Sequence, residues 1–188
     1  MAKSLTAIYK IKDALHKRFE MKDLGEAKVI LGLEIRRDRA LGTLKLSPGK
    51  YAAQVLETLG MAECIPIGAP MEVGLQLVKA DESDDALPYR EAVGSLLYLM
   101  VGTRPDLTFA IGNLSRSVSY YGKEDWAAIK RVLRNVKGSM DKGLVFDKNS
   151  SCVLQCYSDA DWAGDHETRR STTGFTVTFG EASVSWGS

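Results

Sequence analysis

Four cations sit close together in a chain that is otherwise near charge balance. Lys130, Arg134 and Lys137 fall at i, i+4 and i+7, with Arg131 beside them. On a helix this spacing gathers them on one face, opposite a stripe of Trp126, Ile129 and Leu133. Such a face can track phosphates, and the contact would be salt-dependent and indifferent to base sequence. The plainer alternative is a solvated helix face. A second cluster is Tyr157-Ser158-Asp159-Ala160-Asp161-Trp162-Ala163-Gly164-Asp165. On a strand, Asp159 and Asp161 share a face, and a carboxylate near the end of a central strand can hold a divalent metal. Two-metal phosphodiester chemistry needs several carboxylates from different elements, so turn and capping roles compete for these two. Cys152 and Cys156 lie too far apart on a strand for a disulfide and have no complement for zinc; they read as partly buried structural thiols. His16 reads as exposed on a helix and His166 as part of a polar turn, neither with a nucleophile partner.

Composition narrows the setting. The chain has 188 residues, 25 basic and 24 acidic side chains and a formal charge of +1, with 45% hydrophobic and 26% charged residues. These values exclude a disordered chain, a collagen and a histone-like polycation, and leave room for one or two small domains. Three cysteines, with Cys64 the third, do not make a disulfide framework. The N-terminus has charges throughout and no apolar core, so no signal peptide is expected. No stretch is apolar enough for a membrane span, and an intracellular location, cytoplasm or nucleus, is expected.

The elements that would position these residues follow from periodicity. Ile8, Ile11, Leu15 and Phe19 predict a helix over 5–19. Alternation from Lys28 to Arg36, with Val29, Leu31, Leu33 and Ile35 on one side, predicts a strand that returns through Gly42 into Thr43–Leu46. Ser47-Pro48 predicts the start of a helix carrying Tyr51, Val55 and Leu59, closed by Gly60. Residues 61–88, with Pro66, Gly68, Pro70, Gly74 and the acidic run Asp81–Asp85, predict a solvated extended linker. A helix from Tyr89 is apolar all round and should be buried. Thr103-Arg104-Pro105-Asp106 reads as a cap, a first-turn proline and an acidic first turn of the next helix. Residues 124–137 form the basic helix, and three short β-rich segments, 152–157, 174–179 and 182–186, end the sequence.

Read together, seven strings resemble the Pol polyprotein of copia-type retrotransposons. They are Phe19–Glu26, Ile30–Ile35, Tyr89–Met100, Gly102–Asp106, Ile129–Arg134, Tyr157–Gly164 and Arg169–Phe175, in the family's order and near its spacing. The resemblance implies an α+β fold. It has an N-terminal helix and β-hairpin, a helical thumb- and connection-like middle, and a truncated three-strand ribonuclease H-like C-terminal ribbon. By resemblance, 1–62 is the end of the reverse transcriptase palm and the approach to the thumb. Residues 63–88 are a linker, 89–149 thumb- and connection-like helices, and 150–188 the opening of a ribonuclease H segment. The parental activities would be RNA-directed DNA synthesis and cleavage of RNA in RNA–DNA hybrids. Asp159 matches the first ribonuclease H carboxylate, and the family uses Mg²⁺ there. The remaining carboxylates and the Tyr-x-Asp-Asp strand of the palm are not among these residues, so a catalytically incomplete chain is expected that holds no metal tightly. The expected partners are an RNA–DNA hybrid or template–primer duplex, bound weakly by Lys130, Arg131, Arg134 and Lys137, and the remainder of the polyprotein. Tyr120-Tyr121-Gly122-Lys123 and Asn135-Val136 depart from the family's usual residues. Arg131-Val132-Leu133-Arg134 also fits the Arg-x-Leu-Arg string of secreted oomycete effectors, a reading that its mid-helix position and the missing export signal oppose.

Overall fold

The computed structural model of the chain describes residues 4–75, 77, 80, 82–164 and 169–188; Asp81, Asp165 and His166, weighed above, lie outside them. The order is α1 (Leu5–His16), β1 (Val29–Ile30), β2 (Leu33–Asp38), β3 (Thr43–Ser47), α2 (Gly49–Thr58), α3 (Tyr89–Thr103), α4 (Thr108–Ser115), α5 (Lys123–Lys137), β4 (Leu144–Asp147), β5 (Leu154–Ala160), β6 (Thr173–Phe179) and β7 (Ala182–Gly187). Single 3₁₀ turns flank α4. The fold is α+β, with one antiparallel sheet ordered β1-β2-β3-β4 and another ordered β5-β6-β7.

Helix α1 starts where Ser4 accepts a hydrogen bond from the Ala7 N–H at 3.2 Å, and it ends before Phe19. None of its residues is buried, so the Ile8, Ile11 and Leu15 stripe faces outward. The single strand expected over 28–36 is broken. Leu31 and Gly32 both take left-handed φ values, 48° and 74°, and join Ile30 to Leu33 in a two-residue hairpin. Such a turn needs positive φ at both central positions. Glycine meets this freely at the second, while Leu31 is strained and its carbonyl accepts the Tyr98 hydroxyl. The β2–β3 hairpin is as expected. The strand β4, which alternation did not pick out, adds to the far side of β3, pairing Leu46 with Leu144 and Leu44 with Phe146.

The core lies among α2, α3, α4 and α5, where Leu56, Tyr89, Leu96, Leu99, Leu107, Ile111, Leu114, Ile129 and Leu133 are almost fully buried. Helix α2 ends in a Schellman turn: Gly60, at φ 66°, donates to Glu57 O and Met61 to Leu56 O. Helix α3 is not buried all round, because Tyr98 and Val101 remain exposed. Residues 61–88 form no helix or strand among those described, yet they do not run through solvent. Met61, Met71, Leu75, Leu77 and Leu87 pack on the core, so the stretch is a strap over the helices.

One buried cation ties the helices together. Arg104 is 1% exposed and forks onto Asp106 through Nε and Nη2, both at 2.8 Å. Its Nη1 donates to the Ser139 carbonyl at 3.2 Å, and Nη2 also reaches the Ser139 hydroxyl at 2.8 Å. The end of α3, the turn before α4 and the exit of α5 are thereby joined. Burial pushes the Asp106 carboxyl up, but the bonds and charge of Arg104, with Lys142 nearby, more than offset this and hold it below the ordinary carboxylate value.

The C-terminal ribbon has the three expected strands. Its β7 side docks on the body: Ala182 is buried and Trp186 Nε1 donates to Met100 O at 3.0 Å. Trp186 is thus engaged, whereas Phe175, Phe179 and Val184 stay exposed. Every residue of β5 is exposed, as are Cys152 and Cys156, which corrects their reading as partly buried thiols: the ribbon meets the body along β7 and leaves β5 uncovered by the described residues.

Two outcomes test this framework. Arg104→Met should cost about 2 kcal/mol in urea unfolding, because it takes the fork from the half-buried Asp106 and leaves the buried Ser139 carbonyl without its donor. The folded pKa of Asp106 lies below its unfolded one, so its contribution is complete above about pH 4 and fades as pH falls through the lowered folded value. The gap between wild type and variant should therefore shrink in acid; a gap constant down to pH 2 would contradict the assignment. Separately, a Cβ on Gly143 would sit 2.1 Å from the Leu46 carbonyl oxygen, a backbone atom. Gly143→Ala should then lower stability by about 1–3 kcal/mol, read in the same titration.

Candidate nucleic-acid interface

Helix α5 is built to be held and to carry charge. The Gly122 N–H donates to Asp125 Oδ2 at 2.9 Å, satisfying one amide at the helix start. Glu124 and Asp125 occupy the first turn and Arg134 and Lys137 the last, in the sense the helix dipole favours. Ile129, Val132, Leu133 and Val136 are buried, and Trp126 is only partly so. Asp125 is buried too, beside the Tyr89 hydroxyl, which donates to Leu114 O at 2.7 Å. Burial first, then the Asp125 charge, push the Tyr89 phenol well above its ordinary range, so this hydroxyl keeps its proton.

The four cations share the helix but divide into two pairs. Lys130 is exposed and Lys137 partly exposed, and neither makes a hydrogen bond or ion pair among the described residues. Arg131 instead donates to Glu72 Oε1 at 2.8 Å, and Arg134 Nε donates to the Ile65 carbonyl at 2.7 Å. Both arginines therefore bind the strap as well as facing outward.

The strap runs antiparallel to α5. Pro66 lies over Gly138, Ile67 donates to Arg134 O at 3.3 Å, Glu72 reaches Arg131, and Asp84 donates to Tyr121 O at 3.1 Å. Asn135 anchors it, donating through Nδ2 to the Ile67 carbonyl at 3.2 Å and the Gly68 carbonyl at 2.6 Å. Periodicity did not single out Asn135 as a site residue. The available signal was a polar side chain flanked by Val132, Leu133 and Val136, which must find a partner when buried.

Of the carboxylate cluster, Asp159 and Asp161 are described, and the two do not converge. Asp159 lies on the exposed strand β5, where its Oδ1 accepts the Ala160 N–H at 2.9 Å. Asp161 falls past the strand end and closes the β5–β6 connection, exchanging hydrogen bonds with Thr172 at 3.1 and 2.6 Å. Among the described residues no group of three or more His, Cys, Asp or Glu side chains could hold a metal ion. The described donors around Asp159 and Asp161 therefore do not by themselves make a Mg²⁺ centre. No helix among the described residues is long and apolar enough to cross a membrane.

Comparison with known proteins adds an independent line. The family described as reverse transcriptase (RNA-dependent DNA polymerase) matches residues 1–73. The chain is 42% identical over 187 residues to the retrovirus-related Pol polyprotein from transposon TNT 1-94 of Nicotiana tabacum, covering 95% of this chain but 14% of that protein. It thus spans about a seventh of that polyprotein's length. An uncharacterized mitochondrial protein of Arabidopsis thaliana is 39% identical over 173 residues, covering 92% of this chain and 71% of the relative. A secreted RxLR effector protein of Plasmopara viticola is 48% identical over 100 residues, covering 53% of this chain and 70% of the relative. No solved structure matches.

The anchoring role of Asn135 is open to test. Asn135→Leu removes the donor to two strap carbonyls and should cost about 1–3 kcal/mol. Limited proteolysis followed by mass spectrometry should show faster cleavage within 65–72 than in wild type. An unchanged cleavage pattern would mean that other contacts hold the strap.

Proposed function

The chain belongs to the copia-type Pol polyproteins of retrotransposons, and from that premise we propose that it is the part of the polyprotein linking the reverse transcriptase palm to the ribonuclease H domain. In this reading residues 1–62 close the palm and lead to the thumb, 63–88 form a connecting strap, 89–149 are thumb- and connection-like helices, and 150–188 open the ribonuclease H segment. The observation that carries the function is the pair of free cations Lys130 and Lys137, held by a rigidly packed helix on its outer side. Together with Arg131 and Arg134 they would hold the phosphate backbone of an RNA–DNA hybrid or template–primer duplex.

Two exposed surfaces support the larger setting. The outward apolar stripe of α1 and the open edge strand β5 are surfaces that the remainder of the polyprotein would cover. Asp159 would then become one carboxylate of a Mg²⁺ site completed by residues outside this chain, the metal supplying Lewis-acid chemistry there. By itself the chain holds no Tyr-x-Asp-Asp string, so we expect no primer extension from it. The effector reading has less support: Val132 and Leu133 of the Arg-x-Leu-Arg string are core residues, and both of its arginines hold the strap.

A labelled RNA–DNA hybrid titrated at several salt concentrations tests the interface. Binding should be weak and fall steeply with salt, and Lys130→Glu with Lys137→Glu should abolish it while leaving the melting temperature within a few degrees. Arg134 is left alone because its loss would also release the strap. Equal binding by the double variant would refute the phosphate assignment. Reproducible primer extension with Mg²⁺, free of contaminating polymerase, would refute the incomplete-polymerase reading.

A further inference from the structure

The strap does more than cover the core: its Glu72 places a carboxylate on a guanidinium that the proposed interface would use. The Arg131 side chain is 24% exposed and Glu72 is 61% exposed, so solvent and any approaching polyanion reach the pair. Arg131 is also underused. It makes one ion pair, and its Nε is buried with no partner among the described residues. Lys130 beside it is free, so incoming phosphate would meet a cation already open and, next to it, one already occupied by an anion.

We propose that Glu72 acts as an internal anion that competes with phosphate for Arg131, so that the strap sets the affinity of the basic helix for nucleic acid. This rests on the nucleic-acid reading above and adds its regulation. With Glu72 61% exposed the pair is screened by solvent and weak, whereas an arginine–phosphate contact is charge-assisted and can be bidentate. Exchange of carboxylate for phosphate is therefore feasible without unfolding the strap. The remaining anchors, Arg134 on the Ile65 carbonyl and Asn135 on the carbonyls of Ile67 and Gly68, engage neutral backbone and stay in place.

The test uses the full 188-residue chain and a 20-base-pair RNA–DNA hybrid. Glu72→Ala should tighten binding about threefold to tenfold and steepen the slope of log affinity against log salt by about one, the mark of one more phosphate engaged. Glu57→Gln on α2, an equal change of charge at a residue that makes no ion pair with Arg131, should leave the slope unchanged. In an Arg131→Met background, Glu72→Ala should have no effect. Binding by wild type that is matched in affinity and slope by Glu72→Ala would overturn the competition while sparing the interface. Absence of binding by both proteins would overturn the interface reading and this one with it.

Discussion

The fork of Arg104 onto Asp106 and Ser139 is the constraint on which the rest of the body depends. A guanidinium removed from water must have its donors matched, and here the partners come from the turn before α4 and the exit of α5. This fixes where α5 ends. From there Gly143, pressed against the Leu46 carbonyl, lets β4 join β3 with Leu144 opposite Leu46. The helical body and the four-stranded sheet are thus coupled through a few residues.

The same network reaches the candidate interface. The Ser139 hydroxyl that accepts from Arg104 donates to the Asn135 carbonyl at 2.7 Å, and the Asn135 amide holds the strap at Ile67 and Gly68. A continuous path of hydrogen bonds therefore links the buried arginine to the segment lying over the basic helix. Because Val132, Leu133 and Val136 fix the inner side of α5, its cations are displayed in a set geometry rather than on a mobile arm.

The two ends of the chain contrast with this body. Helix α1 is well formed, with a side-chain cap and an amphipathic pattern, yet buries nothing. The ribbon is held mainly along β7, through Trp186 and Ala182, and leaves β5 open. Pattern and capping are local and suffice to form an element, but burial requires a second surface. That distinction explains how a helix legible from its apolar stripe can carry that stripe facing outward.

Local sequence determined the helices, most strand positions and the family, because periodicity, capping residues and string order are properties of neighbours along the chain. It also placed Lys130, Arg131, Arg134 and Lys137 on one helix. Only the tertiary structure decided which of them are free. Arg131 and Arg134 find partners 59 and 69 residues away, Glu72 and Ile65, and no local pattern encodes a contact across that separation. The same reason hid the packing of 61–88, which reads as linker by composition and becomes a strap because its scattered Met and Leu side chains meet the helices in space. It hid β4 too, a four-residue strand that exists as such by pairing with β3, roughly a hundred residues earlier.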